Sequence, residues 1–238
     1  MKNNLTEKDI ENLNKWAEKY DIEELKIKDK EKIFNLEELH IISVSLTELL
    51  KDIGNLTNLK SLYIDCYLNE LPKEIFNLIN LEELYIRNNN LTELPKEIGI
   101  LTSLKSLIIR CFNLNELPKE IFNLINLEEL YIRNNNLTEL PKEIGILTSL
   151  KSLIIRCFNL NELPKEIFNL INLEKLRIIS NNLEISPDGI EKLINLENLY
   201  IDINIINENF NFKSLPIEEI GKLNNLKDLS IRIRKWEK

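Results

Sequence analysis

Histidine occurs once in this 238-residue sequence, as His40, and that scarcity removes much of protein chemistry at the outset. Paired-histidine metal sites are excluded, and a Cys-His couple could form only through this one ring. Five glycines are too few for a dinucleotide fingerprint, and no Gly-x-x-x-x-Gly-Lys-Ser/Thr phosphate loop occurs. Three cysteines, an odd number, do not suggest a disulfide framework. No apolar run reaches the length of a membrane span, and the stretch from Met1 to Glu7 has no signal-peptide core. The expected compartment is the cytoplasm, with leaderless secretion as the open alternative. A net charge of −8 argues against a nucleic-acid surface, which needs excess Lys and Arg to neutralise phosphates.

What the chain does have is a narrow alphabet of Leu, Ile, Asn, Glu and Lys, used periodically. Residues 68–113 recur letter for letter as residues 114–159, and a third copy runs from Leu160 to Glu174. Each such 46-residue block holds two related units of 23, and Leu68, Leu91, Leu114, Leu137, Leu160 and Leu183 keep that step. Within a unit, Leu84 and Ile86 sit two apart and share one face of an extended segment, with Tyr85 and Arg87 on the other. Further on, Ile98, Leu101 and Leu104 recur every three residues, which predicts a helical or 3-10 turn begun by Pro95. No unit of this size can bury its leucines alone, but stacked neighbours share one core.

The pattern Leu81-x-x-Leu84-x-Ile86-x-x-Asn89-x-Leu91, followed by Leu94-Pro95-x-x-Ile98-x-x-Leu101-x-x-Leu104, resembles the leucine-rich-repeat family. The likeness is to its bacterial type, whose repeats carry a Leu-Pro-x-x-Ile segment, and it covers nearly the whole chain after residue 21. About ten units begin at Ile22, Leu36, Leu59, Leu81, Leu104, Leu127, Leu150, Leu173, Leu196 and Leu226. The resemblance implies an α/β solenoid over residues 22–238, a right-handed curved coil with a parallel concave sheet and short helical or 3-10 convex segments. It also implies an amide ladder just past each strand, at Asn89, Asn135, Asn181 and Asn204, with Phe112 and Phe158 as departures in alternate units. Phe76, Phe122 and Phe168 alternate with Gly99 and Gly145, so rings are expected to fill space left by glycine.

Residues 1–21 read as an N-terminal amphipathic cap. Ile10, Leu13, Trp16 and Tyr20 line one face, and Thr6 with Asp9 makes a capping-box start. Two irregularities break the rhythm. Leu46 to Leu68 spans 22 residues, one short, and about six residues are inserted around Ile205–Asn211. No separate capping domain is expected after the last strand, where Arg232, Arg234 and Lys235 would discourage edge-to-edge association. Cys111 and Cys157 lie two repeats apart, roughly 10 Å in a stack of strands, so free thiols are expected. Nearby arginines predict lowered thiol pKa values.

No catalytic residue, cofactor or metal site is assigned. The carboxylates, such as Glu82 and Glu83, recur in alternate units as a periodic array, whereas an acid/base pair needs one site with two divergent environments. The residues between the core leucines form columns instead. One runs His40, Tyr63, Tyr85, Ile108, Tyr131, Ile154, Arg177, Tyr200; its neighbour runs Ile42, Asp65, Arg87, Arg110, Arg133, Arg156, Ile179, Asp202, Arg232. Adjacent arginines roughly 4.8 Å apart repel by the order of 1 kcal/mol in water. Tyr and Arg are also the types enriched at binding hot spots. The candidate contacts are therefore Tyr63, Tyr85, Arg87, Arg110, Tyr131, Arg133, Arg156, Arg177 and Tyr200. The other reading is that duplication copied one harmless arginine four times.

The expectation is a protein-interaction module that binds a protein on its concave face, an acidic or mixed-charge surface being the candidate, with no nucleic acid and no membrane as partner; the oligomeric state stays open, with a monomer favoured. Two alternatives stay open: a surface or secreted adhesin or effector-type repeat protein, and the repeat portion of a ubiquitin-ligase-like effector lacking its catalytic domain. A purely structural array without a dedicated partner is a third.

Overall fold

The structure, a computed structural model, describes residues 5–181, 183–185, 189–206 and 216–235. Nine strands are β1 (Glu38–Ser43), β2 (Ser61–Cys66), β3 (Glu83–Asn88), β4 (Ser106–Cys111), β5 (Glu129–Asn134), β6 (Ser152–Cys157), β7 (Lys175–Asn181), β8 (Asn198–Ile205) and β9 (Asp228–Lys235). They form one open parallel sheet in sequence order, β1 to β9. This is the repeat solenoid that the resemblance to leucine-rich-repeat proteins implies. The register repeats without slip: Leu84 lies beside Leu107, Leu107 beside Leu130, and Leu130 beside Leu153. All four are buried, as are Ile86, Ile109, Ile132 and Ile155, because alternate residues of each strand face the shared core.

The returns are single 3-10 turns: Lys73–Asn77, Lys96–Ile100, Lys119–Asn123, Lys142–Ile146 and Lys165–Asn169. Pro72, Pro95, Pro118, Pro141 and Pro164 precede them as N-caps. Proline suits that place because its preset φ is near the turn value and its missing N–H costs no hydrogen bond there. The unit starting at Ile22 makes a 3-10 turn, Glu23–Leu25, so the ten predicted units yield nine strands among the described residues.

Helix α1 (Glu7–Tyr20) covers the first units. Thr6 N–H donates to Asp9 Oδ2 at 2.7 Å, and Asp9 N–H to Thr6 Oγ1 at 3.1 Å, closing the expected capping box. Ile10, Leu13 and Ala17 are buried, while Trp16 and Tyr20 pack half-buried against the core. Two short helices, α2 (Lys30–Phe34) and α3 (Ile217–Ile220), replace 3-10 turns near either end. No helix among the described residues is long and apolar enough to cross a membrane.

The glycines work differently from the ring-filling expectation. A Cβ on Gly99 would stand 2.4 Å from Glu120 O, the backbone of the next unit, and Gly145 repeats this against Glu166 O at 2.5 Å. These glycines let two 3-10 turns approach backbone to backbone. Only Gly189, at φ 114°, sits against a ring, that of Phe168. The short unit is explained: Cys66 and Leu68 are separated by one residue, whereas Cys111 and Leu114 are separated by two. Of the insertion expected around Ile205–Asn211, residues 207–211 lie outside the described residues.

Candidate partner-binding face

Residues that alternate with the core leucines emerge on the outer face of the sheet, and the two predicted columns are aligned strand by strand. Tyr63 lies beside Tyr85, and Arg87, Arg110, Arg133 and Arg156 are consecutive neighbours. The arrangement is not a bare row of charges. At the β1 end, the Tyr63 and Tyr85 rings stack with centroids 4.1 Å apart and an interplanar angle of 9°, and His40 leans on Tyr63 at 5.9 Å. Burial pushes the Tyr63 phenol up to about 12. His40 Nδ1 lies 3.0 Å from Glu24 Oε1, which accounts for the sole histidine as a surface contact.

Each arginine finds a different neighbour. Arg87 Nη1 lies 3.1 Å from Asp65 Oδ2, and Arg110 Nη1 donates to Tyr85 Oη at 3.0 Å. Arg133 sits over the Phe112 ring at 4.8 Å and Arg156 over Phe158 at 5.5 Å. A guanidinium stacked by its face keeps its edge N–H donors unspent. Consistent with that, the Nε groups of Arg110, Arg133 and Arg156 are buried with no hydrogen-bond partner. Burial, reinforced by Arg156, Arg110 and Arg87, pulls the Arg133 guanidinium below its ordinary pKa. Arg110, Arg133 and Arg156 form a strip of neighbours on consecutive strands. Tyr131 stands between Ile108 and Ile154 and makes the strip's partner column amphipathic.

At the β7–β9 end the face deepens into a basin of about 670 Å³, whose walls include Arg156, Arg177, Tyr200, Asp202, Arg232 and Arg234. Arg177 and Arg232 lie over the Tyr200 ring at 4.4 and 5.6 Å. Asp202 is 3% exposed. Its Oδ2 accepts from Tyr200 Oη at 3.0 Å and from Arg234 Nη2, whereas its Oδ1 has no partner. Burial pushes this carboxyl up, but the hydrogen bonds from Arg234 and Tyr200 outweigh it and hold the pKa below the ordinary value. Sequence reading placed Arg177 and Tyr200 here but passed over Asp202, Arg232 and Arg234. The available signal was Asp202 itself, a carboxylate interrupting a cationic column.

A larger groove of about 1360 Å³ follows the upstream ends of the strands. Its groups are mostly spent on each other. Lys60, Lys105 and Lys151 pair with Glu37, Glu82 and Glu128 at 2.5–2.7 Å, and Asn126 and Asn172 donate to Thr102 O and Thr148 O. Exposed pairs of this kind add little stability each. The groove is a stacking device, and it offers a ligand few free groups.

The amide ladder exists, one residue earlier than expected. Asn134 is fully buried; its Nδ2 donates to Cys111 O at 2.6 Å and Leu114 O at 3.0 Å, and its Oδ1 accepts from Leu137 N–H at 2.6 Å. Asn88 and Ser180 hold the equivalent places, Ser180 serving Leu160 O at 2.9 Å. Asn89 is half-buried and Asn135 exposed, so neither is the ladder residue. Asn204 does donate to Asn181 Oδ1 at 3.1 Å. Between the amides the position is occupied by Cys66, Cys111 and Cys157, not by Phe112 or Phe158, which turn outward to the arginines. The thiols are free, as expected. The expectation of lowered pKa values is overturned: burial pushes all three up to about 12, so they are inert packing groups.

Comparison with known proteins agrees with this architecture. A family model described as a leucine-rich repeat region matches residues 119–238. A leucine-rich-repeat protein of Leptospira interrogans is 36% identical, with a TM-score of 0.72 over 87% of this chain and 52% of its own. The chain thus spans about half the length of that relative. The leucine-rich repeat domain of the type III effector XopL is 28% identical, with a TM-score of 0.64 over 84% of this chain and 70% of that one. Internalin C2 of Listeria monocytogenes shares 18% identity and a TM-score of 0.62 over 96% and 92% of the two chains, a likeness of fold. A search of curated proteins returned no match.

Proposed function

The chain belongs to the leucine-rich-repeat family, and we propose that it is a protein-interaction module whose outer sheet face receives an acidic or mixed-charge protein surface. The observation that carries this reading is the arginine strip, Arg87, Arg110, Arg133 and Arg156 side by side on consecutive strands of that face, with a carboxylate partner among the described residues only at Arg87. Like charges held this close repel one another, and an anionic partner would relieve that repulsion. The flanking Tyr63, Tyr85, Tyr131 and Tyr200 provide large rigid contact area beside those charges. Repeat proteins of this family are generally non-catalytic scaffolds, and the arginine strip needs no chemistry beyond recognition.

The test is affinity capture from native lysate with the wild-type chain and an Arg110→Glu/Arg133→Glu double variant as baits. The variant should lose the partner while its thermal midpoint stays within a few degrees, since both side chains lie on the outer face. Undiminished capture removes the strip from consideration. A second reading, an effector role, is favoured by the likeness to the effector's repeat domain; it predicts delivery of the chain into host cells, measurable by a reporter fusion. The cytoplasm is the compartment we propose for the first reading, and cell fractionation checks it.

A further inference from the structure

The basin at the β7–β9 end of the sheet is chemically distinct from the arginine strip. Four arginines face one aspartate. Only Arg234 is committed to that aspartate. Arg177 and Arg232 lie over the Tyr200 ring, 4.4 and 5.6 Å from its centroid, and neither is paired with a carboxylate among the described residues. Opposite charges are thus supplied in excess and pre-positioned for a planar, two-oxygen anion. The second half of the site is Asp202. It is almost fully buried, lines the basin, and has one oxygen satisfied twice and the other not at all. An unpartnered carboxylate oxygen in a buried place calls for an N–H donor.

We propose that this basin binds an acidic residue of an extended peptide, its side-chain carboxylate taken by Arg177 and Arg232 and a backbone N–H by Asp202 Oδ1. The assignment rests on the outer face being the partner-binding face and locates the anchor within it. A free anion would use the arginines and leave Asp202 Oδ1 unmet, whereas a peptide carries acceptor and donor a few ångströms apart. The volume suits a few residues, not a folded surface.

Fluorescence anisotropy tests this with a fluorescein-labelled, C-terminally amidated hexapeptide containing two glutamates and its glutamine counterpart. The glutamate peptide should bind the full chain at least about tenfold more tightly, the minimum for a charge-assisted pair. Arg177→Gln/Arg232→Gln should erase that preference, and Lys105→Gln/Lys151→Gln, in the upstream groove, should keep it. N-methylation of the glutamate amides should also weaken binding. If the double variant at the basin does not fold, Arg232→Gln alone, on the edge strand, is read instead. Equal binding of the two peptides, preference retained in the basin variant, or displacement by equimolar inorganic phosphate would each overturn the proposal. Loss confined to Arg110→Gln/Arg133→Gln would also refute the basin while leaving the broader face reading intact.

Discussion

Replacing Asn134 by alanine is the sharpest test of the ladder. Its amide contacts three buried groups, Cys111 O, Leu114 O and Leu137 N–H, and also Asn136 N–H, which is exposed and can turn to water. Each buried group left unmet costs about 1–3 kcal/mol, and the low end applies where water can enter. Three such losses give about 3–5 kcal/mol, allowing for partial repair by water. Asn88 provides an internal control. Its Oδ1 accepts from Leu91 N–H at 2.9 Å, but its Nδ2 has no partner, because the preceding turn is one residue short. Asn88→Ala should therefore cost about a third as much, roughly 1–2 kcal/mol. Asn135→Ala, at the place the repeat pattern suggested, should stay within about 0.5 kcal/mol. Urea unfolding read by circular dichroism, with equal slopes across the three variants, measures the differences. An Asn135→Ala cost equal to that of Asn134→Ala would refute the placement, and equal costs for Asn88 and Asn134 would refute the accounting by individual hydrogen bonds.

Other expectations follow from the same coordinates. Gly99→Ala pushes a methyl against Glu120 O and should destabilise by about 1–3 kcal/mol in the same urea assay, the reverse of the gain usual for glycine replaced in a helical segment. Leu130→Ala in the central strand should cost about 2–5 kcal/mol, and a change below about 0.5 would deny its core position. The three thiols should be silent toward a thiol reagent at pH 8 and react fully in denaturant. Because their folded pKa values are raised to about 12 while unfolded thiols ionise near 8.5, the folded state holds more protons between those limits. The thiol contribution to stability should then be complete below about pH 8.5 and fall as pH rises toward 12, a trend a cysteine-to-alanine triple variant would lessen.

Much of this protein could be read before any coordinates. The 23-residue step, the two outward columns, the proline-started 3-10 returns and the capping box are local or periodic features, and in a solenoid each unit touches only its neighbours. Leu84 and Ile86 define an inward parity that continues to Asn88, so the ladder position was present in the alternation; the family pattern pointed instead to Asn89. The parity carries on because the strand ends one residue later than the pattern implies.

Other features depended on packing between units, which no periodicity encodes. Whether Gly99 meets a ring or a carbonyl turns on how closely consecutive 3-10 turns approach. The thiol pKa values followed burial at the ladder, with Arg110 and Arg156, one residue before Cys111 and Cys157, on the opposite face of the sheet. The basin required Arg232 and Arg234, beyond the inserted segment, to be brought beside Tyr200 and Asp202 by the β8–β9 pairing. Short-range order along the chain therefore settled the scaffold, while lateral stacking settled which side chains share a site.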